Sequence, residues 1–307
     1  MRIAGIRAMQ TVPEMQNPPN SQTCIEGGLR CQGVYKTTHQ EKPLVTIITV
    51  VFNGSRHLAG AMDSVFSQDY TNVEYIIIDG GSSDGTLDLI REHQARIDYW
   101  RSEPDEGIYD AMNKGIELAR GDVIGLLNAD DILYPAAISR IIEAMGGEAK
   151  EKYTCGAVDL IDETGAVYGH SRPFEKTIRE RRRYLEMPCP HLSVFVGREV
   201  YERIGAFDTQ FRLRADYDFL LRAIESNAPC TDLDFAVGAF RSGGSSGGMA
   251  TWLETRRVLQ TKGINSFYTN YIFIRSVTRS WLAGALPPTI TSIIKRFTIS
   301  KNNYFME

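Results

Sequence analysis

The sequence predicts an α/β protein, a mostly parallel sheet covered by helices on both faces, and three observations carry that prediction. From residue 43 onward, short β-branched apolar runs alternate with amphipathic stretches. Three of these runs end in Gly, Asn or Asp, the residues that turn a chain out of a strand. At 307 residues, 43% hydrophobic and 10% aromatic, the chain can also bury the two faces that such a sheet requires.

Residues 1–42 are rich in Gln, Asn, Pro, Thr and Gly without a sustained period of 2 or 3.6, and are expected to form a flexible tail. The folded domain is expected to span 43–248. Its first strand is Val45 to Phe52, with a helix from about Arg56 to Ser67. The second strand is Val73 to Asp79, with a helix from Thr86. A short strand at Ile97 to Trp100 precedes a third helix and then the strand Val123 to Leu127. That helix is the clearest, because Ile108, Ala111, Met112, Gly115, Ile116 and Ala119 recur at helical spacing on one face. Asp105 and Glu106 at its start and Arg120 at its end suit the helix dipole, and Gly121 supplies a C-terminal stop.

The charge is uneven. Residues 251–307 hold eight Lys or Arg against two Glu, so this stretch carries +6 and the remainder −10 of a chain whose total is −4. An acidic body gives no sign of a nucleic-acid partner. In the basic stretch, aromatic and aliphatic residues (Trp252, Phe267, Tyr268, Tyr271, Phe273, Trp281) interleave with the cations. A helical extension at 249–307 that lies on an anionic membrane surface fits this pattern, and so does a helical cap on the domain. Pro287-Pro288 breaks the last apolar stretch, and no run reaches the roughly 18 apolar residues a bilayer span needs. Five cysteines (Cys24, Cys31, Cys155, Cys189, Cys230) lack zinc-like spacing and are odd in number. A reduced, cytoplasmic setting is expected, with possible attachment to the inner face of the cytoplasmic membrane.

In open parallel sheets the ligand sits beyond the carboxyl ends of the strands. Three such ends carry Asn53-Gly54, Asp79-Gly80-Gly81 and Asp130-Asp131. Glycine loops of this kind can bring free amides to an anion, or can be plain turns. Paired acids at a strand end suit Mg²⁺ or Mn²⁺ bound together with substrate phosphates, or simply cap the strand.

The series TIITVVFNG, VEYIIIDGGSSDGT, SEPDEGIYDAMNKGIELARGD, IGLLNADD and GAFDTQFRLRADYDFLLR resembles, in order, the family 2 glycosyltransferases. These are inverting enzymes with the nucleotide-diphospho-sugar fold called GT-A. The match runs from about Pro43 to Gly248, and its form resembles bacterial enzymes of exopolysaccharide, lipopolysaccharide or colanic-acid-type synthesis. The resemblance implies transfer from a nucleotide-sugar, UDP being the commonest donor, to a glycan or lipid-linked acceptor. It makes Asp79 the partner of the base, with Val51, Asn53, Gly81 and Asn113 also on the nucleotide-sugar. It puts Asp130 on ribose or metal, and Asp131 on the Mn²⁺ or Mg²⁺ that bridges the diphosphate. Asn128 stands where the family often has Asp. Asp216 becomes the general base, with Asp218 as competitor or as a helix-start dipole complement. His191 either lines the site or is structural. Arg241 and the loop Ser242–Gly248 form a lid or a flexible turn, and Arg179–Arg183 a solvated face or an anchor for a lipid diphosphate. The alternatives are a silent glycan-binding scaffold on this fold and a sugar-nucleotide pyrophosphorylase.

Overall fold

Strands β2 (Val45–Val51) and β3 (Val73–Asp79) are buried along their whole length, as central strands with helices on both faces must be. In the computed structural model, which describes residues 24–39, 42–173, 176, 183–185, 187–241 and 248–285, they pair in parallel from Val45–Val73 to Val51–Asp79. β5 (Val123–Asn128) joins the other side of β2 in parallel, and β4 (Tyr99–Ser102) joins β3. Past β5 the sheet becomes mixed. β9 (Phe195–Gly197) runs antiparallel between β5 and β7 (Tyr153–Ile161), and β10 (Cys230–Arg241) runs parallel to β7. β6 (Ile132–Leu133) closes that edge against β10, and β8 (Val167–Ser171) forms a hairpin with β7. The strands β2, β3 and β5 therefore end together, with the ends of β7 and β10 beside them.

One face is covered by α1 (Leu58–Phe66), α2 (Thr86–Glu92) and α4 (Ala137–Met145), which pack Leu58, Met62, Ile90, Ile138 and Ile141 onto Ile47, Ile77 and Leu127. The other is covered by α3 (Ile108–Leu118), α5 (Arg198–Ile204), α6 (Ala215–Glu225) and α7 (Met249–Thr261), with Met112, Val200, Phe219 and Val258 against Ile48, Ile76 and Leu126. Each such side chain contributes roughly 1.5–3 kcal/mol by leaving water, so both faces are needed to hold the sheet. A polar residue can enter this core only if it is satisfied. Glu74, 1% exposed near the start of β3, accepts from Thr46 Oγ1 at 2.6 Å and the Arg120 amide at 2.8 Å.

Three expectations change. The tail does not extend to residue 42: β1 (Ile25–Gly27) pairs antiparallel with β4, Lys36 Nζ lies 2.8 Å from Asp98 Oδ2, and Arg30 reaches Glu74 and the Leu118 carbonyl. Residues 1–23 lie outside the described residues. Gly121 is not a left-handed stop, since α3 already ends at Ala119 in extended backbone. It is a glycine because any Cβ there would stand 2.6 Å from the Thr46 nitrogen. Finally, residue 248 is not a packing boundary. Val258 and Leu259 of α7 are fully buried on the domain, and α8 (Ser266–Ala285) adds Ile272 to the same core. On α8 the side chains of Phe267, Tyr271 and Ile274, at helical spacing, remain exposed.

Candidate active site

The converging strand ends open into a cavity of about 670 Å³, within the usual size of small-ligand sites. Its walls come from the end of β2 (Val51 to Gly54), the start of α3 (Asp105 to Met112), the β5 end (Asn128 to Asp130), His191, the segment Arg212 to Asp216, and Phe240-Arg241 of β10.

Asp216 stands in the first turn of α6, half-buried. Its Oδ1 accepts from Tyr109 Oη at 2.9 Å and from the Tyr217 amide at 2.8 Å, while Oδ2 has no protein partner among the described residues. Burial, with the charge of Asp216 beside it, pushes the Tyr109 phenol well above its ordinary 10, so it stays a donor. Asp218, the competing candidate, is 4% exposed and committed: Oδ2 takes Arg222 Nε at 2.7 Å and Oδ1 lies 3.0 Å from Lys262 Nζ. Asp218 is a structural ion-pair centre and does not line the cavity.

The NADD turn divides its acids. Asp130 faces the cavity, whereas Asp131 is fully buried beneath it, with Oδ2 left without a hydrogen-bond partner among the described residues. Asp131 Oδ1 accepts the Arg241 amide at 3.0 Å. Burial first, then the charge of Asp130, holds its carboxyl well above the usual range. Arg241 also contacts the carbonyls of Asp130 and Asp162, so it staples β10 to this turn; the loop 242–247 proposed as a lid lies outside the described residues. His191 packs edge-on against Phe240 at 5.6 Å, receives the Asn128 side-chain amide at Nε2 (3.1 Å), and is held by burial below its ordinary 6.5.

A divalent cation, implied by this fold, can be tested against these groups. Asn128 Oδ1 and Asp131 Oδ2 are buried acceptors with no hydrogen-bond partner among the described residues, and Asp130 and the neutral ring of His191 adjoin them. Such an excess of acceptors over donors, mostly hard oxygens, fits Mg²⁺ or Mn²⁺.

Of the residues expected on the nucleotide side, some line the cavity and others are engaged within their own loops. Asp79 is 0% exposed, does not line the cavity, and accepts from the Ser82 amide, Ser82 Oγ and Ser102 Oγ. Gly81 turns the loop at φ 82° against Pro104 and also stays outside. Asn113 uses both ends of its amide on the backbone of Phe207 (2.8 and 2.9 Å), so it anchors a loop. The amides of Asn53, Gly54 and Ser55 do not await an anion. They donate to Ser82 Oγ, Thr86 Oγ1 and Asp84 Oδ2 at 2.7–3.0 Å, and hydrogen bonds, that from Thr86 first, hold Asp84 below the ordinary carboxylate range. Val51 and Asn53 do line the cavity. Sequence reasoning passed over Arg212 and Arg214, which bring cations to this wall, and Tyr109, whose helical spacing reads as core. The RLRAD string that ends in Asp216 was the available signal.

Residues 46–205 match the sequence model of Glycosyl transferase family 2, just over half of the chain. The fold and site thus define a GT-A glycosyltransferase, and the chain belongs to glycosyltransferase family 2. Among its relatives are an uncharacterized glycosyltransferase of Mycobacterium tuberculosis, 34% identical over 194 residues (62% of this chain, 72% of the relative), and a PGL/p-HBAD biosynthesis glycosyltransferase of Mycobacterium bovis, 28% identical over 193 residues (62% and 73%). In fold it is similar to S. aureus TarS 1–349 in complex with UDP-GlcNAc, at TM-score 0.57, 14% identity, and coverage of 80% of this chain and 77% of that one. It is also similar to the mannosyltransferase PcManGT of Pyrobaculum calidifontis in complex with GDP-Man and Mn²⁺, at TM-score 0.54, 15% identity, and coverage of 90% and 86%.

Proposed function

We propose that this glycosyltransferase transfers a sugar, with inversion and with a divalent metal, from a nucleotide-diphosphate-sugar, a UDP-sugar in first place, to a hydroxyl of a glycan or lipid-linked acceptor in cell-surface polysaccharide synthesis. One observation carries the reading: a single cavity holds Asp216 with one oxygen fixed and the other free, and Asp130 with its cluster of orphan acceptors. The acceptor oxygen attacks the anomeric carbon as the bond to the diphosphate breaks. Asp216 Oδ2 takes the hydroxyl proton, and the nucleoside diphosphate leaves. Asp130, Asp131 and Asn128, with His191 beside them, would hold a divalent cation, which would supply charge neutralisation for the leaving diphosphate. Arg212 and Arg214 add positive charge to the same wall, where phosphates are held well by guanidinium groups. The complexes of TarS with UDP-GlcNAc and of PcManGT with GDP-Man and Mn²⁺ support a nucleotide-sugar and a metal.

The exposed side chains of Phe267, Tyr271 and Ile274 support attachment to an anionic membrane surface by α8. No helix among the described residues is long and apolar enough to cross a membrane. The remainder of the basic segment, 286–307, and Arg179–Arg182 lie outside the described residues.

A thermal-shift screen of UDP, GDP, dTDP and CMP and their sugars, each with Mn²⁺, Mg²⁺ or EDTA, tests the donor side. A ligand at about 100 times its dissociation constant stabilises by roughly 2.7 kcal/mol, which a melting curve resolves. A metal-dependent shift with a nucleotide-sugar is expected. No shift with any of them would favour the silent-scaffold alternative.

A further inference from the structure

We infer that Cys155, Cys230 and Asp232 bind a thiophilic divalent cation, Zn²⁺ by preference, at a site separate from the active-site cavity. Residues 230–232 begin β10, which lies parallel to β7 with Cys230 opposite Tyr153 and Asp232 opposite Cys155. Successive side chains of a strand alternate between faces, so Cys230 and Asp232 share one face, and the in-register pairing puts Cys155 on it as well. The result is a triangle of two sulfurs and a carboxylate whose ligand atoms all lie within 4.8 Å of one another. Cys230 Sγ and Asp232 Oδ1 are 3.9 Å apart. Zinc holds a thiolate sulfur at about 2.3 Å and a carboxylate oxygen at about 2.0–2.2 Å, and a tetrahedron of those lengths spaces its ligand atoms roughly 3.6–3.8 Å apart. The three groups therefore reach zinc geometry by closing about 1 Å or less.

One member of the triangle is fixed and another can adjust. Cys155 is 0% exposed, and its neighbours pin the backbone on either side: Thr154 Oγ1 donates to the Ser193 carbonyl at 2.7 Å, and the Gly156 amide donates to Ser193 Oγ at 3.1 Å. Asp232 is exposed and ends the regular ladder, which shifts register before Ala236. It also lines a pocket of about 420 Å³ together with Asp159, His170 and Arg172, so an ion and water can reach the cluster from solvent. Three protein ligands leave the fourth tetrahedral position to water. The two sulfurs choose the metal, because thiolates favour zinc whereas Mg²⁺ and Mn²⁺ favour oxygen. On binding, the two thiols release their protons to solvent as the ion is taken up, so affinity rises with pH. The ion would tie β7 to the start of β10, whose far end carries Phe240 and Arg241 into the active-site cavity.

Titration of the reduced, metal-stripped full chain with Co²⁺ tests this, because cobalt held by thiolate shows a sulfur-to-metal charge-transfer absorption that cobalt held by oxygen and imidazole lacks. Wild type is expected to develop this absorption, to lose it to Zn²⁺ and to keep it in excess Mg²⁺. Cys155→Ser, Cys230→Ser and Asp232→Asn are each expected to weaken Co²⁺ binding at this site by about 10-fold or more, and the double variant Cys155→Ser/Cys230→Ser to abolish the absorption. Cys24→Ser, which alters an exposed cysteine outside the cluster, should leave it unchanged. Melting curves in EDTA identify any variant that has lost its fold, and the wild-type spectrum depends on none of them. No charge-transfer absorption in wild type, or wild-type absorption and affinity in the folded cysteine variants, overturns the inference and leaves the donor reading standing.

Discussion

Tyr109 Oη donates to Asp216 Oδ1 across 2.9 Å, a link between the first turn of α3 and the first turn of α6 in the wall of the cavity. The Tyr109 ring is fixed against Phe207 with centroids 5.4 Å apart, so the carboxylate is aimed by a group that cannot itself rotate away. A hydrogen bond to a charged group contributes about 1.5–3 kcal/mol. Tyr109→Phe is therefore expected to lower kcat by about 10- to 100-fold while nucleotide affinity stays as in wild type, seen by steady-state kinetics beside a nucleotide titration. An equal loss of nucleotide affinity would mean that the tyrosine shapes the donor pocket instead.

The two acids of α6 separate by what they fail to do when altered. Asp216→Asn should retain donor binding and the wild-type melting temperature and lose transfer by several orders of magnitude. Asp218→Asn uncovers Arg222 and Lys262 in a largely buried place and should destabilise the fold by about 3 kcal/mol. Thermal denaturation and single-turnover assays on both variants decide the assignment; full turnover by Asp216→Asn would take the base role away from it.

Glu254 of α7 accepts the amides of Arg212 and Leu213 with its two carboxylate oxygens, at 2.9 and 2.5 Å. Glu254→Ala leaves both amides without these acceptors, at a cost of roughly 1–3 kcal/mol each. Amide hydrogen exchange in 212–214 should accelerate and activity should fall, although the side chain lines no part of the cavity. Unaltered exchange there would show that the loop holds its shape unaided.

Membrane attachment calls for a test that spares this packing, because deleting residues from 251 onward removes Glu254 together with the surface. Replacing Phe267 and Tyr271, 84% and 54% exposed, with Ser should weaken sedimentation with anionic liposomes while turnover of a soluble acceptor is kept. Sedimentation equal to wild type would leave α8 a packing element alone.

The sheet was legible because β2 and β3 are apolar runs buried on both faces, and α3 because its stripe is unbroken. The mixed half was less so. β9 is three residues long and β6 two, too short to carry a period, and β1 is held by the flat approach of Gly27 to the Trp100 ring, a contact 73 residues distant. Residue type and order point to Asp216, Asp130 and His191, which line the cavity, but do not say which way a side chain faces. Asp79 and Asp131 have the expected chemistry and face inward, and only three-dimensional packing reveals it. Cys155 shows the same limit: distant in sequence from Cys230 and Asp232, its sulfur lies within 4.8 Å of their side-chain ligand atoms across β7 and β10.

The clasp between Glu254 and the 212–213 backbone also bears on how such enzymes could be recombined. The matched family region ends at residue 205, ahead of both Asp216 and its clasp. A chimera joined at that point would inherit the loop and its clamp from the same parent, whereas a junction between 213 and 254 would take the loop from one parent and the clamp from the other. The stretch from Arg212 through α7 is therefore one packed unit, better exchanged whole than in parts.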